Sequence, residues 1–180
     1  MESRQFYELR QKVVSAGFGE EIVWQESVTE PDTADEFMWQ YIWVVLSSGM
    51  KNQIVRIIER RIVRAYNDGL PISSVFNHQG KVKAIEYMIA NHDDLFEKYL
   101  EANDRLDFLK TLPYIGDITK YHLAKNLGED VVKPDRHLVR IAQKFDTDCN
   151  TLCSRLADST GYRKATVDLI LWRAGNLGFI

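Results

Sequence analysis

The sequence predicts an all-α protein of about ten helices, many of them short. Three observations carry this. Apolar residues recur at helical spacing in one segment after another, no stretch alternates with the period of a strand, and Gly, Pro, Asn and Asp punctuate the segments. An apolar share of 45% over 180 residues is ample for a buried core, so residues 1–180 are expected to form a single domain.

From about Ser3 to Ala16, Phe6, Leu9, Val13 and Val14 fall at helical spacing, and Gly17 and Gly19 are expected to end that helix. Ile22 to Ser27 is too short to classify. Asp32 or Thr33 is placed to cap the next helix, Ala34 to Ser48, whose second half is apolar nearly all round and which therefore reads as the central core helix. Gly49-Met50-Lys51-Asn52 breaks it. Gln53 to Tyr66 forms another helix, with Ile54, Ile57, Ile58, Ile62 and Ala65 predicted to face inward and Arg56, Arg60 and Arg64 in a line along it. Gly69 and Pro71 close that helix. A short segment around Ser73 to Phe76 precedes a helix from Gly80 to about Ala90, and Asp93 to Leu100 gives a further short helix or an extension. Beyond residue 105 come a helix ending near Leu112, a tight turn Pro113-Tyr114-Ile115-Gly116, a helix from about Asp117 to Leu127, a polar loop, and a helix starting at Asp135. Two more helices lie near Thr151 to Asp158 and Arg163 to Ala174.

Composition narrows the function classes. The amino terminus lacks a charged-then-apolar leader and no apolar run approaches the roughly 18 residues of a membrane span, so a cytoplasmic protein without a membrane partner is expected. Cys149 and Cys153 are separated by three residues within a helix, with no further Cys or nearby His to complete a tetrahedral site. They read as packing residues, and no metal held by side chains is predicted. A net charge of −3 and a pI near 5.8 weigh against nucleic-acid binding unless basic residues are gathered on one face. Arg56, Arg60 and Arg64 form one such line, and Arg136, Arg140 and Lys144 another. Either alone reads first as a solvated helix face.

The stretch from Arg105 to Phe145 is the most informative. Pro113 imposes a turn geometry before it and Gly116 tolerates a positive φ, which leaves the following amides unpaired at a helix start. Free N–H groups there bind anions, and the natural anion is a nucleic-acid phosphate.

Leu112, Pro113, Ile115, Gly116 and Thr119, followed by Asp135, His137 and Arg140, resemble the motifs of the helix-hairpin-helix DNA glycosylase superfamily that includes endonuclease III, the adenine glycosylases and the alkyladenine glycosylases. That family reads Leu-Pro-Gly-Val-Gly-x-x-Thr-Ala through its hairpin. After a helix and a loop it continues with a Val-Asp-x-His-x-x-Arg-like segment. Weaker echoes are Val45-Leu46-Ser47-Ser48-Gly49, where the family has Leu-Leu-Ser-x-Gln, and the opening Gly80 to Ala84. The similarity covers roughly Phe37 to the carboxyl end.

The resemblance implies a two-lobed helical bundle with a helix-hairpin-helix motif and a DNA-binding cleft, the amino- and carboxyl-terminal helices in one lobe and the middle helices in the other, and an enzyme that extrudes a nucleotide from double-stranded DNA and breaks its base-to-sugar bond. It implies a monomer, nucleoid-associated if prokaryotic. Asp135 is then the carboxylate that stabilises the oxocarbenium-like sugar, while Tyr114, Ile115, Gly116, Thr119, Lys120, Arg136 and Arg140 contact DNA. Asp135 read by itself would be a helix N-cap, and capping and catalysis are compatible. Ile118 stands where strand-nicking relatives carry a Schiff-base Lys, so base release without nicking is expected; Lys133 is the amine that would overturn this. Tyr114 replaces the first hairpin Gly, and Gly49 the Gln that reaches into DNA. That leaves Met50 and Lys51 as candidates for the wedge and Trp24, Trp39, Tyr41 and Trp43 for a stacking wall, although aromatic residues on such a helix are more often core. No protein-bound cofactor is expected beyond a monovalent cation at the hairpin carbonyls; the chain ends before a four-Cys iron–sulfur cluster could form. The runner-up is a non-catalytic helix-hairpin-helix protein that holds DNA for a partner.

Overall fold

The computed structural model describes residues 1–180 and contains ten α-helices and no strand. In chain order these are α1 (Ser3–Val13), α2 (Gly19–Ser27), α3 (Ala34–Ser47), α4 (Asn52–Asn67), α5 (Gln79–Glu101), α6 (Arg105–Thr111), α7 (Thr119–Asn126), α8 (Arg136–Gln143), α9 (Cys149–Thr160) and α10 (Lys164–Asn176). A π-turn, Val14–Phe18, and a 3-10 turn, Ile72–Ser74, complete the elements. The chain divides into two units, one of residues 1–30 and 124–180, the other of residues 31–123. No helix is long and apolar enough to cross a membrane.

In the middle unit, α3 packs along α5. Phe37, Met38, Tyr41, Ile42, Val44, Val45 and Leu46 are buried, as a helix apolar nearly all round requires. Thr33 is the cap: its side chain accepts the Glu36 amide at 3.2 Å, and Glu36 reaches back to the Asp32 amide at 2.8 Å. Of the two readings of Asp93 to Leu100 the extension holds, since α5 is one 23-residue helix. Asn91 and His92 bond back to the carbonyls of Tyr87 (2.7 Å) and Ile89 (2.9 Å) one turn earlier, and buried Leu95 and Tyr99 hold the second half in place. On α4, Val55, Ile62 and Ala65 are buried, whereas Ile54 and Ile57 are 50% and 52% exposed. Val55 and Ile62 are seven residues apart and set the inner line. Ile54 and Ile57 then fall on its outer flank.

In the terminal unit, α10 packs against α1, α2, α8 and α9. The helix expected to stop at Gly17 and Gly19 stops only once: Gly17 takes φ +92°, while Gly19 has ordinary helical φ and opens α2, so Ile22 to Ser27 are helical. Gly175 lets α8 approach α10, because a Cβ there would lie 3.1 Å from Ile141 Cδ1 and 3.7 Å from His137 Cβ. Cys149 and Cys153 are buried free thiols in this core, and burial raises both above the usual thiol range.

Candidate functional site

Within the middle unit, α6 is capped by Asp104, which accepts the Asp107 amide at 2.9 Å, and it ends as Pro113 enters the turn. The left-handed residue of the turn is Tyr114, at φ +66°, and not Gly116 as expected. For a side-chain-bearing residue this conformation costs about 1–2 kcal/mol, so the surroundings must hold it. His78 packs edge-on to the Tyr114 ring with centroids 6.0 Å apart, the Lys81 ammonium lies 5.7 Å from its centroid, and a Cβ at Gly80 would come within 3.4 Å of its Cε2. Below the turn, the Tyr41 hydroxyl donates to the Pro113 carbonyl at 2.5 Å. Tyr41 is fully buried, so it supports the turn from behind and does not wall a base pocket.

The pattern of free amides also differs from the expectation. Ile115 N–H donates to the Leu112 carbonyl (3.2 Å), Gly116 N–H to Thr119 Oγ1 (2.6 Å), and Lys120 N–H to the Gly116 carbonyl (3.0 Å). Between Tyr114 and Lys120 the amides of Tyr114, Asp117, Ile118 and Thr119 make no backbone bond, and α7 accordingly begins at Thr119 rather than Asp117. Three consecutive N–H groups at a helix start form an anion site in principle. The carboxylate of Asp117 stands beside them, paired to Lys110 Nζ at 2.6 Å, a pairing that holds it below the usual carboxylate range and so keeps it charged at neutral pH. Lys120 is not free either, since its Nζ lies 3.5 Å from Asp107 and 5.5 Å from the Tyr121 ring centroid. Ile118 is exposed. The carbonyls of Leu112 and Pro113 each already accept one hydrogen bond and that of Gly116 accepts two, from Lys120 N–H and Thr119 Oγ1, so a monovalent cation at the turn would use the remaining lone pairs of Leu112 and Pro113.

Sequence reasoning missed Lys81. Although it sits in the first turn of α5, where a Lys normally reads as surface, it is 2% exposed, and its Nζ donates to the carbonyls of Leu46 (2.9 Å) and Ser48 (2.7 Å). Burial lowers its affinity for the proton, while the carbonyl end of α3 receives the positive charge that suits a helix carboxyl terminus. Lys81 thereby joins the Leu46–Ser48 segment to the underside of Tyr114. Beyond Ser48, Gly49 takes φ +75°, Met50 is half-buried and Lys51 is exposed at the start of α4. Trp39 packs edge-on to Tyr66 (5.6 Å, 87°) and Trp43 is half-buried; Trp24, on α2, belongs to the other unit and is exposed.

In the terminal unit, Asp135 caps α8: its Oδ1 accepts the amides of His137 (2.9 Å) and Leu138 (3.1 Å). Its second oxygen, Oδ2, lies 3.6 Å from Lys133 Nζ, with the side chain 13% exposed. The loop before it is anchored by a residue the sequence did not single out. Asp168, almost fully buried on α10, accepts the Lys133 amide at 2.6 Å and pairs with Lys125 Nζ at 3.0 Å. Burial raises the Asp168 carboxyl above its usual range, against the pull of Lys125 and of the Lys133 amide. Arg136, Arg140 and Lys144 are exposed along α8. His137 packs edge-on to Trp172 with centroids 6.5 Å apart, and its buried Nδ1 has no hydrogen-bond partner.

The turn residues Tyr114, Ile115, Gly116, Thr119 and Lys120 therefore belong to one unit together with Trp39, Tyr41, Met50 and Lys51, and Asp135, Arg136 and Arg140 belong to the other. No group of three His, Cys, Asp or Glu side chains is arranged to hold a metal ion.

No family model, curated protein or solved structure matches the chain.

The Asp117 carboxylate makes the turn testable on its own. Asp117→Asn removes a negative charge beside three free amides and releases Lys110, and a charge at a helix start is worth about 0.3–1 kcal/mol. A duplex oligonucleotide should therefore bind about 2- to 5-fold more tightly to the variant by fluorescence anisotropy. Unchanged or weaker binding would show that no phosphate approaches these amides.

Proposed function

We propose that the protein is a helix-hairpin-helix DNA glycosylase that acts as a monomer on double-stranded DNA, extrudes a damaged or modified base and hydrolyses its N-glycosidic bond. What supports the reading most is the α6–α7 turn. A tyrosine is held at φ +66° in the position that the glycosylase resemblance gives to glycine, and three unpaired amides follow within five residues. A strained turn braced by His78, Lys81 and Tyr41 is a costly way merely to connect two helices.

In the proposed reaction the bond between sugar and base breaks with its electron pair going to the base, which takes up a proton from solvent as it leaves. Positive charge develops on the sugar, and Asp135 Oδ2 is the oxygen available to stabilise it, because Oδ1 is committed to the cap. Water then adds to the anomeric carbon, and the same carboxylate takes its proton. The cap fixes the orientation of the carboxylate in advance. Ile118 offers no amine and Lys120 is paired with Asp107, so the abasic product is expected to leave intact.

The test is a panel of duplexes carrying different damaged or modified bases, assayed for strand scission with and without alkali. Base release appears as scission only after alkali. Scission without alkali, together with a covalent adduct trapped by borohydride, would move the assignment to a strand-nicking enzyme working through Lys133. A panel without any release would favour the second reading, a non-catalytic DNA-holding protein, for which the full use of Asp135 Oδ1 as a cap speaks.

A further inference from the structure

Helix α4 carries a concentration of charge that neither the turn nor Asp135 uses. From Lys51 to Asn67 the chain has five basic residues and one acidic residue, in a protein whose formal net charge is −3. Arg56, Arg60, Arg61 and Arg64 are all exposed and none makes a salt bridge, although exposed cations elsewhere do, as in Arg4–Glu8, Lys98–Asp94 and Lys110–Asp117. The single carboxylate of the helix, Glu59, is half-buried, and burial raises its proton affinity against the pull of Arg56 and Arg60, so it offsets one charge of the line and leaves the rest unbalanced. Arg56, Arg60 and Arg64 follow one another at four-residue steps, about 6 Å apart along the axis. The opposite side of the helix is fixed by buried Val55, Ile62 and Ala65, which holds the arginine line outward.

We propose that this line is a second phosphate-binding surface, which follows one strand of the same duplex that the α6–α7 turn holds. It rests on the DNA reading above. A single strand presents a phosphate for about every 3.4 Å of duplex rise, so long side chains set about 6 Å apart reach successive or alternate phosphates without bending the helix. Arginine suits that task because its planar fork binds phosphate oxygens in pairs. Continuity favours DNA over an acidic protein. The line begins one turn after Lys51, on the segment whose other end, Ser48, is tied by Lys81 to the underside of Tyr114.

Counterion release gives the test. Each phosphate contact contributes about 0.9 to the slope of log K against log salt concentration. Binding of the full-length protein to an undamaged duplex is measured by fluorescence anisotropy across a potassium chloride series. The measurement is made for wild type, for Arg56→Gln/Arg60→Gln/Arg64→Gln, and for a control with the same change in charge, Arg4→Gln/Lys12→Gln/Arg155→Gln. The stripe variant is expected to flatten the slope by about 2 to 3, and the control to leave it unchanged within about 0.5. If the triple variant does not fold, each single variant should still lower the slope by about 0.9. A wild-type slope that persists in the stripe variant overturns this inference, leaves the turn as the DNA contact and gives the arginines to another acidic partner. Equal flattening by stripe and control variants overturns it as well, since net charge alone would then be responsible. Absence of salt-dependent binding by the wild type removes the DNA reading and this inference with it.

Discussion

Asp135→Asn is expected to give a folded protein that binds duplex DNA with wild-type affinity and releases base at least about 100-fold more slowly. The two oxygens of Asp135 divide the labour. Oδ1 accepts the amides of His137 and Leu138, a role that an Asn side-chain carbonyl fills nearly as well, so the melting temperature should shift by no more than a few degrees. Oδ2 faces only Lys133 Nζ, at 3.6 Å, and in the variant it becomes an amide nitrogen that cannot offset positive charge on a sugar. Removing one preorganised group that stabilises transition-state charge costs about 2.7–4 kcal/mol, which sets the scale of the loss. Single-turnover base release and a thermal melt, measured on the same preparation, separate the two roles. Release at the wild-type rate would exclude Asp135 from the chemistry, and a collapsed melting temperature would mean that the capping geometry does not survive the change.

Gly128→Ala is expected to lower the melting temperature by about 10 °C or more, or to prevent cooperative folding. Gly128 sits at φ +87°, where a Cβ alone costs about 1–2 kcal/mol. The added carbon would also lie 2.5 Å from the Thr29 carbonyl carbon, 2.6 Å from the Glu30 nitrogen and 2.7 Å from the Thr29 oxygen. These are backbone atoms, and no side chain can swing aside to relieve the clash. The neighbourhood has little freedom to move, because the Arg163 guanidinium donates to the carbonyls of Gln25, Val28 and Gly128 and fastens the end of α2 to the loop after α7. Forcing these segments apart breaks that fork, and the combined penalty, about 4 kcal/mol or more, is a large part of a typical domain's stability. A thermal melt followed by far-ultraviolet circular dichroism reads the effect. A shift under about 3 °C would mean that the Thr29–Glu30 backbone yields far more easily than its anchoring suggests.

The helices were legible in the sequence where one face is apolar over several turns, as in α1, α3 and α10, because burial of such a face follows from its period. Legibility failed where tertiary contacts choose between acceptable local options. Asn91 and His92 can break a helix or bond back to the preceding turn, and the packing of Leu95 and Tyr99 selects the second. On α4 six Ile and Val residues compete for the inner face, and the seven-residue pair Val55 and Ile62 wins over the isoleucines at 54 and 57. The turn at Pro113 was visible, but its left-handed residue was assigned to Gly116 from propensity, whereas ring contacts with His78 and Lys81 stabilise Tyr114 there. The carboxylate of Asp135 was visible as a cap before a helix. Lys81 and Asp168 were not, because a buried charge is recognised by its partners, and those lie 33 to 43 residues away along the chain: Leu46 and Ser48 for Lys81, Lys133 and Lys125 for Asp168.

The enclosed pair Lys125 and Asp168 constrains how this protein can diverge. Removing either partner alone strands the other in a dry interior at about 3–5 kcal/mol, whereas exchanging both for well-packed apolar residues is often neutral. Here the neutral route is narrower, because Asp168 also receives the Lys133 amide, and an apolar successor would leave that N–H without an acceptor. Descendants of this sequence should therefore keep the two positions in step, or lose both only when the backbone ahead of Asp135 finds a new anchor.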